Sequence, residues 1–189
     1  MTDTQHLAIN GGPKARTQPF PPRQLFTEEE KQAVVALFDQ AIESGDVFGY
    51  NGPQEVAYEQ AFAEYMGGGY ADAVNSGTSA VLVALGALNL DCCSEVIVPP
   101  ISDHGGVMPV VMLNCVPIPA DAEPGSFNMG PEQVEAVLTE RTKAIVVAHI
   151  AGVLVDMDPV LELANARGIP VVEDCAQSHG ARYKGRLAG

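Results

Sequence analysis

Residues 144–174 read AIVVAHIAGVLVDMDPVLELANARGIPVVED, and this stretch decides the fold. Ala144–Ala148 is a strongly apolar strand, Met157–Arg167 is helical, and Pro170–Val172 is a second apolar strand that runs into Glu173 and Asp174. The strands are continuously apolar rather than alternating, the pattern of a parallel sheet covered on both faces. The same rhythm extends back toward residue 70. Tyr70–Val74, Glu95–Val98 and Val116–Ala120 read as strands; Thr78–Leu88, His104–Leu113 and Pro131–Leu138 read as helices. The expected architecture is α/β, a three-layer, mostly parallel sheet.

Before this region the chain changes character. Up to about Phe26 it is rich in Gly, Pro and polar residues and reads as an extended arm. Thr27 and Glu30 form a capping box that opens a helix toward Ser44, and Pro53 suits the first turn of a second helix, Gln54 to Met66. Beyond Asp174, Arg182-Tyr183-Lys184-Gly185-Arg186 reads as a short strand and turn. A doubly wound sheet does not close on such a turn, so the sequence reads as a truncated domain. Its exposed edge would then favour aggregation.

Composition narrows the function classes. The 189 residues carry 10 basic against 24 acidic side chains, a formal net charge of −14. That excess argues against a nucleic-acid partner or an anionic membrane surface. Met1-Thr-Asp-Thr-Gln-His lacks a signal peptide's basic start, and no apolar run approaches a membrane span, so a cytoplasmic protein is expected. The cysteines, Cys92, Cys93, Cys115 and Cys175, lack zinc-type spacing and read as reduced, mostly buried thiols.

In open α/β sheets, ligands sit at the carboxyl ends of the strands. Three segments fall there. Asn75-Ser76-Gly77-Thr78-Ser79-Ala80 joins a strand to a helix and could cradle a phosphate, or serve as a simple N-cap. In Glu173-Asp174 the two side chains should face opposite ways, one into a site; Asp174 as a cap is the alternative. In Pro99-Pro100-Ile101-Ser102-Asp103-His104-Gly105-Gly106, Asp103 and His104 are site candidates, or Ser102 or Asp103 caps the next helix. His149, ending a strand, reads as structural.

Taken in order, the chain resembles the DegT/StrS-type family of pyridoxal-phosphate sugar aminotransferases. The likeness runs from Leu7-Ala8-Ile9-Asn10-Gly11-Gly12-Pro13 through Ser76-Gly77-Thr78-Ser79-Ala80, Glu95-Val96-Ile97-Val98-Pro99-Pro100 and His149-Ile150-Ala151-Gly152. It ends on Glu173-Asp174-Cys175-Ala176-Gln177-Ser178-His179-Gly180-Ala181. The resemblance implies a type I aminotransferase large domain, with an arm over 1–26 and a partial cofactor domain over 27–189. It implies that Gly77 and Thr78 bind the phosphate of pyridoxal 5'-phosphate, that Asp174 pairs with its pyridine nitrogen, and that Gln177 lies near its phenolic oxygen. Where the family usually stacks an aromatic residue on the ring, this chain has Asp103, with His104 beside it.

The lysine that carries the cofactor is expected beyond Gly189, because Lys184 comes too early in the pattern; the chain alone is then inactive. The implied reaction moves an amino group from glutamate or glutamine to a keto sugar or keto-cyclitol, in a homodimer when full length. Two alternatives stand beside it: a same-fold sugar dehydratase or regulator, and a phosphate-binding α/β module without catalysis.

Overall fold

In the computed structural model, residues 7–189 are described, so the residues before Leu7, including the start weighed above for a signal peptide, lie outside. The chain divides into two compact units, up to Gly52 and Pro53–Gly189.

In the first unit, α1 (Glu28–Ser44) starts at the expected capping box, where Thr27 Oγ1 accepts from Glu29 N–H and Glu30 reaches back to the Thr27 amide. Three glutamates in its first turn suit the positive helix start. Gly45, at φ +75°, ends it. Phe38 and Phe48 meet edge to face, with centroids 5.3 Å apart.

The second unit carries α2 (Pro53–Tyr65), α3 (Gly77–Ala87), β1 (Glu95–Val98), α4 (Met108–Met112), β2 (Val116–Pro119), α5 (Pro131–Val137), β3 (Thr142–Ala148), α6 (Met157–Asn165) and β4 (Val171–Asp174). A small antiparallel hairpin, β5 (Arg182–Tyr183) and β6 (Arg186–Leu187), follows. The main sheet runs β2-β1-β3-β4, all parallel. Alternate side chains enter two cores. Val96, Val98, Ala144 and Val146 pack with Val81 and Leu85 of α3 and Val110 of α4. Ile97, Ile145 and Val147 pack with Val134 of α5 and Val160 and Ala164 of α6. This is the expected three-layer parallel architecture.

Two segments depart from expectation. Tyr70–Val74 forms no strand; the Ala73 amide donates to Glu59 Oε1 at 2.8 Å rather than to a neighbouring strand. His104–Leu113 is not one helix but a 3-10 turn, His104–Gly106, followed by the short α4. Pro109 accounts for the break, since it lacks the N–H an uninterrupted helix would use. The cysteines also differ: Cys92 and Cys93 are exposed, and only Cys115 is buried.

The β2 edge is chemically closed. Val116 N–H donates to Ser94 O and Ala120 N–H to Val98 O, so even-numbered amides face β1. The odd positions on the outer side are Pro117 and Pro119, which have no N–H to offer another strand. At the amino end of the sheet, the buried Glu95 binds Thr139 and Arg141, which hold its carboxyl below the usual range against burial.

Candidate cofactor site

The chain leaves β1 toward β2 on one side of the sheet, while β3 and β4 lie on the other. The crevice outside the carboxyl ends of β1 and β3 is therefore a topological switch point. Each candidate segment ends near it.

α3 begins at Gly77, with Ser76 as its N-cap: Ser76 Oγ accepts from Ser79 N–H at 3.1 Å. Ser79 Oγ in turn donates to Asn75 Oδ1 at 2.7 Å. The amides of Gly77 and Thr78, first in the helix, have no carbonyl four residues back within it. Ser76 is thus the cap of this helix, and the amides of the next two residues stand outside the helix's own bonding.

After β1, Asp103 Oδ1 accepts from Gly105 N–H at 2.8 Å and caps the 3-10 turn. This packs Gly105 and Gly106, both buried, against the start of α3 and the end of β4. A Cβ on Gly105 would stand 2.5 Å from Thr78 Oγ1, and one on Gly106 2.7 Å from Ser102 Oγ and 3.5 Å from Asp174 Oδ2. The two glycines thereby tie Thr78, Ser102, Asp103 and Asp174 into one crevice. His104 and Asp103 point outward, their side chains 83% and 76% exposed.

At the end of β4 the two carboxylates do face opposite ways. Val172 belongs to the core under α3, and Asp174 follows on that face; Val171 belongs to the core under α6, and Glu173 follows there. Asp174 Oδ1 accepts from Ala176 N–H at 3.1 Å, so this oxygen holds the turn, while Oδ2 is the one nearer Gly106. Gln177 Oε1 accepts from Ala151 N–H at 2.6 Å, which leaves the side-chain NH2 as its free end.

Glu173 faces His149, which is 1% exposed. Val155 N–H donates to His149 Nδ1 at 3.2 Å, so the proton sits on Nε2 and donates to Glu173 Oε2 at 3.0 Å. Burial lowers the imidazole pKa, while Cys175 and Glu173 raise it, to about 9. The Val155 amide opposes that rise, because a proton on Nδ1 would set donor against donor, and the neutral form is the one this geometry supports. The bond from His149 holds the Glu173 carboxyl below its usual range, against burial and with help from the Gly189 amide. Because the folded value is depressed, Glu173 contributes stability fully above its ordinary range near 4.5, and loses it as pH falls through the lower folded value. Thermal melts from pH 7 down to 3 should show that loss; stability falling instead as pH rises through 9 would show that His149 is an imidazolium.

The sequence alone did not single out Asn128, and it gave Ser102 only as a possible helix cap and Gly105 and Gly106 no role of their own. Buried Asn128 donates to Val153 O at 2.7 Å and accepts from Ile150 N–H at 3.0 Å, pinning the loop after β3. Ala151, in that loop, takes a left-handed φ of +55°.

Residues 27–189 match the DegT/DnrJ/EryC1/StrS aminotransferase family. The chain belongs to this family. It is 39% identical over 191 residues to the L-glutamine:2-deoxy-scyllo-inosose aminotransferase of Streptomyces lividus, covering 98% of this chain and 44% of that protein. An aminotransferase from Psychrobacter cryohalolentis superimposes with a TM-score of 0.81 at 40% identity, covering 90% of this chain and 42% of that one. A GDP-4-keto-6-deoxymannose-3-dehydratase, solved with a trapped PLP-glutamate geminal diamine, superimposes at 0.80 with 26% identity, covering 87% of this chain and 43% of that one. The chain thus spans less than half the length of each of these three proteins. Among the described residues, no helix is long and apolar enough to cross a membrane.

Proposed function

We propose that this chain supplies the cofactor-binding part of a pyridoxal-phosphate aminotransferase that moves an amino group from glutamine or glutamate to a keto-cyclitol or keto sugar. The observation that carries the reading is the crevice where Thr78, the two buried glycines and Asp174 Oδ2 come together. Its glycines let the backbone pack close between Thr78 and Asp174, which sets a hydroxyl and helix-start amides at one end and a carboxylate at the other, a donor set that fits the phosphate and the pyridine nitrogen of the cofactor. The amides of Gly77 and Thr78, with the Thr78 hydroxyl, bind the phosphate. Asp174 Oδ2 holds a proton on the pyridine nitrogen. The bound cofactor would supply an electron sink, which depends on that proton. The Gln177 NH2, aimed by Ala151, donates toward the phenolic oxygen. Asp103 fixes the turn through the Gly105 amide, and His104, which points outward in this structure, would have to turn in to cover the ring face where relatives stack an aromatic residue.

None of the four lysines suits the covalent role. Lys31 pairs with Glu28 on α1, and Lys143 lies at the amino end of β3 beside Glu140. Lys184 sits in the β5–β6 turn, bound to Asp158. Lys14 lies in the arm. The lysine of the complete site belongs outside these 189 residues, in a protein with an arm over 1–26, a cofactor domain from 27 onward, and a homodimeric, cytoplasmic form. The similarity to a dehydratase keeps one second reading, in which a different residue at the lysine's place turns the same cofactor site to dehydration.

The test is an assay of the protein that contains these residues, with pyridoxal phosphate, L-glutamine and 2-deoxy-scyllo-inosose. Amino-cyclitol formation is expected; loss of water from a keto sugar without amino transfer would establish the dehydratase. In the same experiment, the 189-residue chain should show no turnover and no borohydride-fixed cofactor. A stoichiometric adduct on one of its four lysines would overturn that assignment.

A further inference from the structure

Two cysteines stand side by side in the turn between α3 and β1. Ser94 N–H donates to Asp91 O at 3.0 Å, closing a four-residue turn with Cys92 and Cys93 at its centre. Cys93 takes φ +65°, the value a type II turn asks of its third residue and usually gives to glycine. Its amide donates to Asn114 O at 2.8 Å, which fixes the turn to the segment between α4 and β2. Both cysteines are exposed, with their Sγ atoms 3.5 Å apart. The turn precedes β1 and so lies at the end of that strand opposite Asp103.

We propose that Cys92 and Cys93 form a chelating dithiol for a thiophilic trivalent centre, of which a monosubstituted arsenic(III) compound is the probe. Spacing decides against a relaxed disulfide. Adjacent Cα atoms lie about 3.8 Å apart, short of the roughly 4.4–6.8 Å that an unstrained disulfide spans. A single bridging atom needs no such closure. With bonds of about 2.3 Å, as in zinc thiolates, it would see sulfurs at this separation at roughly 100°. That is narrower than the tetrahedral angle zinc prefers, and suits a pyramidal three-coordinate centre bearing a lone pair. The exchange balances without an oxidant. The two As–OH bonds of an arsenous diol become two As–S bonds, the thiol protons leave with the hydroxyls as two waters, and arsenic stays trivalent.

Phenylarsine oxide is added to the phosphine-reduced chain, and retention is read by intact mass after challenge with excess glutathione and then with a dithiol. One adduct per chain is expected, resistant to glutathione and removed by the dithiol. Cys92→Ser or Cys93→Ser should lower retention about a hundredfold, since each removes the second, intramolecular bond. Both side chains are exposed, so unchanged circular dichroism is the folding control, and Cys175→Ser should leave retention intact. An adduct that survives glutathione in either single serine variant, or one that glutathione strips from the unaltered chain, would overturn the proposal.

Discussion

Replacing His149 with alanine is expected to destabilise the chain by about 3–5 kcal/mol, the combined cost of leaving a carboxylate without its buried hydrogen-bond donor and of emptying the space of a large buried ring. Three effects act together. The Glu173 carboxylate, its side chain 23% exposed, loses the bond from Nε2. The Val155 amide loses its acceptor on Nδ1. A cavity opens where a fully buried ring stood. Glu173→Gln should cost less, because a neutral amide left behind carries no unpaired charge. Urea unfolding of the two single variants and the double variant measures the coupling, which should be favourable and larger than about 1 kcal/mol. A His149→Ala loss below about 1 kcal/mol would mean that water replaces the imidazole without strain.

The second large effect is on the cofactor. Asp174→Ala is expected to weaken pyridoxal-phosphate binding by about ten- to hundredfold, the worth of a charge-assisted hydrogen bond at 1.4 kcal/mol per tenfold. The variant removes both roles of the side chain: Oδ1 holds the Ala176 amide, and Oδ2 faces the crevice beside Gly106. Asp174→Asn separates them. Its carbonyl oxygen can still accept from Ala176, so the turn survives, yet a neutral amide cannot keep a pyridine nitrogen protonated. Asn should therefore bind more tightly than Ala and less tightly than Asp. An Asn variant as weak as Ala would assign the whole effect to the charge; one as tight as Asp would assign it to the turn.

Much of this arrangement was legible in the residues because it is written in local chemistry. Continuous apolar runs at Val96–Val98 and Ala144–Ala148 mark strands buried on both faces, and both cores confirm it. The capping box at Thr27 and the cap at Ser76 depend on neighbours three residues away, so they survive without tertiary information. The alternation that sends Glu173 and Asp174 apart is equally local. What the sequence hid is tertiary. Tyr70–Val74 has strand-like composition but finds Glu59 rather than a strand partner. The packing value of Gly105 and Gly106 appears only when Thr78 and Asp174 come to face them. His149 was readable as structural, but its bond to Glu173 joins residues 24 apart in the chain.

The central claim is that Asp174 and the start of α3 form one pyridoxal-phosphate site. Calorimetric titration of pyridoxal phosphate into the chain and into its Asp174→Ala variant tests it most directly. Saturable binding by the unaltered chain, weakened at least about tenfold in the variant, is the predicted result. Equal affinity in the two proteins would contradict it.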